Sequence, residues 1–168
     1  MKKSSLATVT IGAMLALNLS LVFAATKADF NGTWVMDKSR SEGLPPDVEQ
    51  TMILKQSEDK LTVENRITGD ENDLTVSDTY IINGKEVEFS QKVNDQESKG
   101  KRTSKWLEDG SGFVSSEEII RQAGDGTQIT QQVTRKWVMA ADGKMFTVEM
   151  NVKGPNGTRQ TKRVFVKK

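Results

Sequence analysis

Phe146-Thr147-Val148-Glu149-Met150-Asn151-Val152-Lys153 alternates apolar and polar side chains without a break. Successive residues of an extended strand point to opposite faces, so Phe146, Val148, Met150 and Val152 share one face and leave the other to water. The same period of two recurs in Leu74, Val76, Tyr80 and Ile82 against Thr75, Ser77 and Thr79. Val87, Phe89 and Val93 alternate with Glu86, Glu88 and Ser90, and Ile129, Val133, Trp137 and Met139 share a parity among mostly polar neighbours. Each run reads as a half-buried antiparallel strand.

Turn chemistry separates the runs. Asn83-Gly84, Asp109-Gly110 and Asp142-Gly143 supply the positive φ angles that tight hairpins require. Ser57-Glu58-Asp59-Lys60, Gly69-Asp70 and Gly154-Pro155-Asn156-Gly157 mark further reversals. The segments between them predict strands near 31–37, 50–57, 60–68, 74–82, 85–93, 100–108, 112–122, 127–139, 144–153 and 158–167. A meander this long curls or closes, because closure removes exposed edges. The expectation is an all-β chain forming an antiparallel up-and-down barrel of eight to ten strands. One connection is long: Lys38 to Glu49, with Ser39, Ser41, Gly43, Pro45 and Pro46, predicts a loop that arches over one mouth, with a short helical turn beginning at Pro46.

The two ends belong together in such a barrel. Phe30-Asn31-Gly32-Thr33-Trp34 opens the first strand and Thr161-Lys162-Arg163-Val164-Phe165-Val166-Lys167-Lys168 closes the last. Gly32 and Trp34 are therefore expected to close the barrel against the Arg163 strand.

Before the first strand, Lys2 and Lys3 precede an apolar run from Leu6 to Phe23 that ends at Ala24. This has the form of a signal peptide over residues 1–24, cleaved after Ala24, which leaves 25–168 as a single domain in the periplasm or medium, of bacterial character. No second apolar segment follows that would span a membrane after cleavage. With no cysteine there is neither a lipid anchor at this junction nor a disulfide, so stability must come from the core. Removing Lys2 and Lys3 takes the basic residues from 24 to 22 against 23 acids, a net charge of −1. That balance argues against nucleic acid as a partner, since phosphate backbones demand a clustered basic face.

Phe30-x-Gly32-Thr33-Trp34 resembles the opening of the calycins, the lipocalin and fatty-acid-binding-protein superfamily, and Arg163-Val164-Phe165 resembles the Arg-x-Tyr that closes fatty-acid-binding proteins. The opening, with Lys38-Ser39 and Pro45-Pro46 after it, is also similar to secreted bacterial lipocalin-like domains of unassigned activity. The resemblance implies a lipocalin-like barrel that carries a ligand. Two departures stand out. The 38–49 connection is too short and too stiff for the helix-turn-helix lid of fatty-acid-binding proteins. Phe165 lacks the tyrosine hydroxyl that would help hold a carboxylate.

Trp34 reads as core with an arginine guanidinium stacked on it. Arg163 is either that cover, the reading preferred here, or an inward anion clamp. Arg135 shares parity with Ile129, Val133 and Trp137, so an inward guanidinium there needs a partner, and Asp78 or Glu117 could supply it. A β-bulge that flips the parity would instead send these charges to solvent. Arg135 and Arg163 with Tyr80 and Trp137 form the expected ligand site, a cationic anchor beside an aromatic wall.

Catalysis finds little support. Without His or Cys there is neither the usual neutral-pH base nor a thiol nucleophile, and most transition-metal sites are excluded as well. Asp70-Glu71-Asn72-Asp73 lacks the spacing of a calcium loop and reads as a solvated acidic turn. No catalytic residue, metal or cofactor is expected. The functional expectation is a monomeric extracytoplasmic, non-enzymatic protein that holds a small apolar or amphiphilic, acid-ended ligand. The alternative is an envelope or interaction protein whose barrel is filled by its own side chains, which a hydrophobic content of 35% keeps in play.

Overall fold

The computed structural model describes residues 26–168 apart from 44, 46, 70–72, 94–95 and 123–125. The expected signal peptide, the acidic turn at 70–72 and the helical turn expected at Pro46 lie outside the described residues. The chain forms ten strands: β1 (Gly32–Met36), β2 (Glu49–Ser57), β3 (Lys60–Thr68), β4 (Leu74–Ile81), β5 (Glu86–Val93), β6 (Gln96–Trp106), β7 (Gly112–Gln122), β8 (Gln128–Met139), β9 (Met145–Gly154) and β10 (Gly157–Lys167). Period-two patterning and Gly-bearing turns therefore locate every strand to within a few residues.

All ten belong to one antiparallel sheet in the order β4-β3-β2-β1-β10-β9-β8-β7-β6-β5. The sheet rolls into a nearly closed barrel in which β4 and β5 are the two edges, with no ladder between them. First and last strands are neighbours, as their sequences predict: Trp34 lies opposite Lys167 and Met36 opposite Phe165. Cross-strand partners share a face, so the registers identify the inward positions. Arg163, Val148, Trp137, Phe113 and Trp106 form one inward row across five strands.

One end of the barrel is closed by aromatic packing. Phe30, Trp34, Phe113, Phe146 and Phe165 are fully buried, with Trp137 nearly so. Trp137 stacks between Phe113 at 5.3 Å and Phe146 at 5.5 Å, and Phe146 stacks on Phe165 at 4.9 Å. The segment before β1 plugs this end. Phe30 contacts Phe113, Phe146 and Trp137 edge-on, and its carbonyl accepts from Trp34 Nε1 at 2.9 Å. Gln56 fixes the plug by accepting from the Phe30 amide and donating to the Ala28 carbonyl.

Trp34 is core, as expected, but its cationic cover is Lys167, whose Nζ lies 5.2 Å from the ring, and not Arg163. Arg163 sits four residues earlier on the same face and points into the barrel. Gly32 makes the cover possible: its φ is 133°, and a Cβ there would approach Lys167 Cε to 3.0 Å.

The connection from β1 to β2 also departs from expectation in its described part. It holds a 3-10 turn at Lys38–Arg40, capped by Asp37, that the sequence reading did not anticipate. Up to Gly43 it runs along the edge of β10 that short β1 leaves free, and does not arch over the mouth. Asp37 donates to the Val164 carbonyl, and Glu42 and Lys162 exchange backbone bonds of 2.7 and 3.2 Å.

Trp34→Ala should destabilise the protein by about 3–5 kcal/mol, read from the shift in its denaturant midpoint. An unchanged midpoint would mean that the indole does not hold the closure.

Candidate functional site

Above the aromatic end, the inward positions turn polar. The registers through this region are unbroken, with Glu117 opposite Val133 and Ser115 opposite Arg135, so no bulge flips the parity and the charges do face inward. Arg135 pairs with Glu117 Oε1, one of the two partners its parity allows. The other, Asp78, is taken by Arg102.

Arg102 is 2% exposed and anchors this layer. Its Nη1 and Nη2 donate to the two oxygens of Asp78 at 2.8 and 2.7 Å, Nη1 also donates to the Thr79 carbonyl at 2.8 Å, and Nε lies 3.2 Å from Glu117 Oε1. Its guanidinium is sandwiched between Tyr80 and Phe89, 4.2 Å from each ring centroid. Arg102 is the residue that the sequence reading missed. The signal was present, since it shares parity with Trp106, but Lys101, Lys105 and the serines around it disguise the strand as wholly polar.

Burial alone would raise the Glu117 carboxyl, but Arg135 and then Arg102 hold it below the usual carboxylate range, helped by Ser115 Oγ donating at 3.1 Å. Glu117 Oε2 is buried without a hydrogen-bond partner. Tyr80 is pushed well above the ordinary tyrosine range, chiefly by burial, and stays neutral.

Arg163 is placed differently. It is half-buried, and its Nη1 donates to Gln50 Oε1 at 2.9 Å. Gln50 Nε2 in turn donates to Asn65 Oδ1 at 2.7 Å, so a neutral amide relay orients the guanidinium without neutralising it. No carboxylate lies within ion-pair distance of Arg163 among the described residues. Its pKa is lowered first by burial, then by the charges of Arg135 and Arg159.

The expected quartet is thus only partly assembled. Arg135 and Arg163 both face the interior beside the polar layer. Tyr80 lies under Arg102, 4% exposed, with Phe113 and Trp137 against its ring. Trp137 belongs to the closed-end stack and presents no open face to the interior.

On the mouth side of this layer the inward positions become apolar and only half-buried. Ile67, Val76, Phe89, Ile119, Met150 and Val152 point into that space from five strands. The interior is therefore filled at one end, floored by ion pairs in the middle and lined with accessible apolar groups at the other.

By sequence, no protein-family model and no curated protein matches the chain. By structure, the chain is similar to the zebrafish ileal bile acid-binding protein crystallised with cholic acid, with a TM-score of 0.53 and 16% identity over 83% of this chain and 98% of that one. The fold is calycin-like. In this calycin-like barrel, no helix among the described residues is long and apolar enough to cross a membrane, and no three described His, Cys, Asp or Glu residues cluster to hold a metal.

Arg102→Met should cost about 3–5 kcal/mol, because it strands Asp78 and Glu117 inside the barrel. Glu117 titrates below its unfolded value, so its contribution is present above the unfolded carboxylate pKa of about 4.3 and is lost as pH falls through the lower folded value. Glu117→Gln should flatten the acid limb of stability plotted against pH, and an acid limb identical to the parent's would contradict this.

Proposed function

We propose that the chain is an extracytoplasmic binding protein that holds a small anionic amphiphile in the mouth half of the barrel, with the acid end on Arg163 and the apolar body among Ile67, Val76, Ile119, Met150 and Val152. The observation that carries this reading is Arg163 itself. A half-buried guanidinium held only by a neutral amide leaves a charge that an anion from outside would compensate, and charge-assisted bidentate contacts are among the stronger polar interactions available. Pockets of this kind combine a mostly apolar wall with a few placed polar groups. The structural neighbour supports the reading, since cholic acid is itself an apolar body with an acidic end.

Arg135 has a smaller part than its sequence position implies. Because Glu117 pairs with it, it contributes field more than a free donor, and Tyr80, buried beneath Arg102, is part of the support and not of the contact surface. A binding role without catalysis agrees with the lack of any His or Cys to act as base or nucleophile near neutral pH. The absence of a nucleic-acid partner agrees with the near-neutral charge, and the protein acts as a monomer in this reading. Location outside the cytoplasm rests on Lys2, Lys3, the Leu6–Phe23 run and Ala24, and the purified protein should have the intact mass of a chain beginning at Ala25.

The binding test uses a fluorescent fatty-acid analogue. Loss of a charge-assisted contact costs about 1.5–3 kcal/mol, so Arg163→Gln should weaken binding about tenfold or more with the fold intact. Arg135→Gln should weaken it less and lower stability more, since it exposes Glu117. If the analogue does not bind the parent, or binds Arg163→Gln equally well, the filled interior of the closed end is the better guide and the barrel is an envelope or interaction protein.

A further inference from the structure

The chain has seven arginines, and five of them, Arg102, Arg121, Arg135, Arg159 and Arg163, fall on inward positions. Against these, Asp78 and Glu117 are the acids at inward positions of the described strands. Both are committed: Asp78 to Arg102, and Glu117 to Arg102 and Arg135. The inward faces of β2, β3, β5 and β9 carry no charge among the described residues, so nothing from those walls offsets what remains.

What remains is Arg121, exposed at the far end of β7, and a pair on β10. Arg159, Thr161 and Arg163 lie on one face at successive inward positions, about 7 Å apart along the strand. Arg159 is exposed at the mouth end of this row, and its Nη2 donates at 3.0 Å to the Gly43 carbonyl, a neutral group that holds the guanidinium beside β10 without compensating it. Thr161 is 6% exposed and its Oγ1 has no hydrogen-bond partner. Burial and then the neighbouring Arg135 and Arg159 disfavour the charge on Arg163, as expected where several guanidiniums share one space.

From this row we infer that the head group accepted at Arg163 is a doubly charged phosphate monoester and not a carboxylate, a proposal that rests on the amphiphile reading above. Arg121 is exposed and lies two inward positions beyond Glu117 toward the rim, outside this group; the remaining Arg102, Arg135, Arg159 and Arg163 carry four positive charges against two carboxylates. A carboxylate head leaves one charge unmatched, whereas a phosphate carrying close to two matches the surplus. Its three terminal oxygens also have a use here, one for each guanidinium fork of β10 and one for the Thr161 hydroxyl between them. Every uncommitted cation of the row is an arginine, whose planar fork suits phosphate.

Titration calorimetry with dodecyl phosphate, dodecanoate and dodecyl sulfate, each below its micelle concentration, tests this with one chain length and three heads. At pH 8 dodecyl phosphate should bind about tenfold more tightly than either monoanion. By pH 5 the advantage should disappear, because the second phosphate ionisation lies near pH 6 while the arginines keep their charge. Arg159→Gln should abolish the advantage at pH 8 and leave dodecanoate within about twofold. Thr161→Val, nearly the same shape without the hydroxyl, should reduce it. An unchanged thermal midpoint shows that each variant is folded. If all three heads bind alike and Arg159→Gln changes nothing, this proposal falls and the amphiphile reading stands. If none of the three binds, both fall.

Discussion

The Arg102 guanidinium ties together the two open edges of this sheet. A ten-stranded sheet rolled almost into a barrel leaves two edges facing each other, here β4 and β5, with no backbone ladder between them. Arg102 reaches from β6 across that seam. It holds Asp78 and the Thr79 carbonyl on β4, and lies between Tyr80 of one edge strand and Phe89 of the other. A buried charge of this kind is tolerated because its donors meet carboxylate, carbonyl and aromatic partners. Removing one partner would leave the rest desolvated and unmatched.

The same contacts decide what the interior can do. By engaging both inward acids, Arg102 leaves Glu117 shared with Arg135 and leaves Arg163 with no carboxylate within ion-pair distance among the described residues. The uncompensated charge then sits at the boundary between two unlike spaces. On one side, Phe30, Phe113, Trp137 and Phe146 interlock and leave no room for cargo. On the other, half-buried aliphatic groups line the walls toward the mouth. The closed end supplies the stability that a cysteine-free chain must obtain from packing, and the mouth half is free to be a container.

The fold was legible because its evidence is local. Period-two alternation, the Asn-Gly and Asp-Gly turns, and the Gly-x-Trp and Arg-bearing ends each act over a few residues, and together they located ten strands and the closing pair. The parity that turns Arg135 inward was also legible, but it left Asp78 and Glu117 both open as partners, and the unbroken register with Arg102 on Asp78 decides for Glu117. What escaped depends on contacts between distant segments. Lys167 covers Trp34 because Gly32 carries no Cβ to crowd it, while the β10 register alone turns Arg163 inward. Arg102 was overlooked because its strand reads as uniformly polar, and its partners lie 24 residues upstream and 15 downstream. Trp137 and Tyr80 looked like an open aromatic wall, yet rows running across the barrel bury them against Phe113.

The central claim is that Arg163 is an internal cation awaiting an anionic head group. Carbon-13 NMR of carboxyl-labelled dodecanoate bound to the protein tests it most directly, with the label resonance followed from pH 8 down to pH 4. Beside an uncompensated guanidinium the carboxylate should remain ionised, and its resonance should stay fixed through the range where a free carboxyl, with a pKa of about 4–5, begins to titrate. In Arg163→Gln the ordinary titration should return. A bound label that titrates normally in the parent protein would contradict the account, because it would put the acid end in water and leave Arg163 as part of the barrel's own packing.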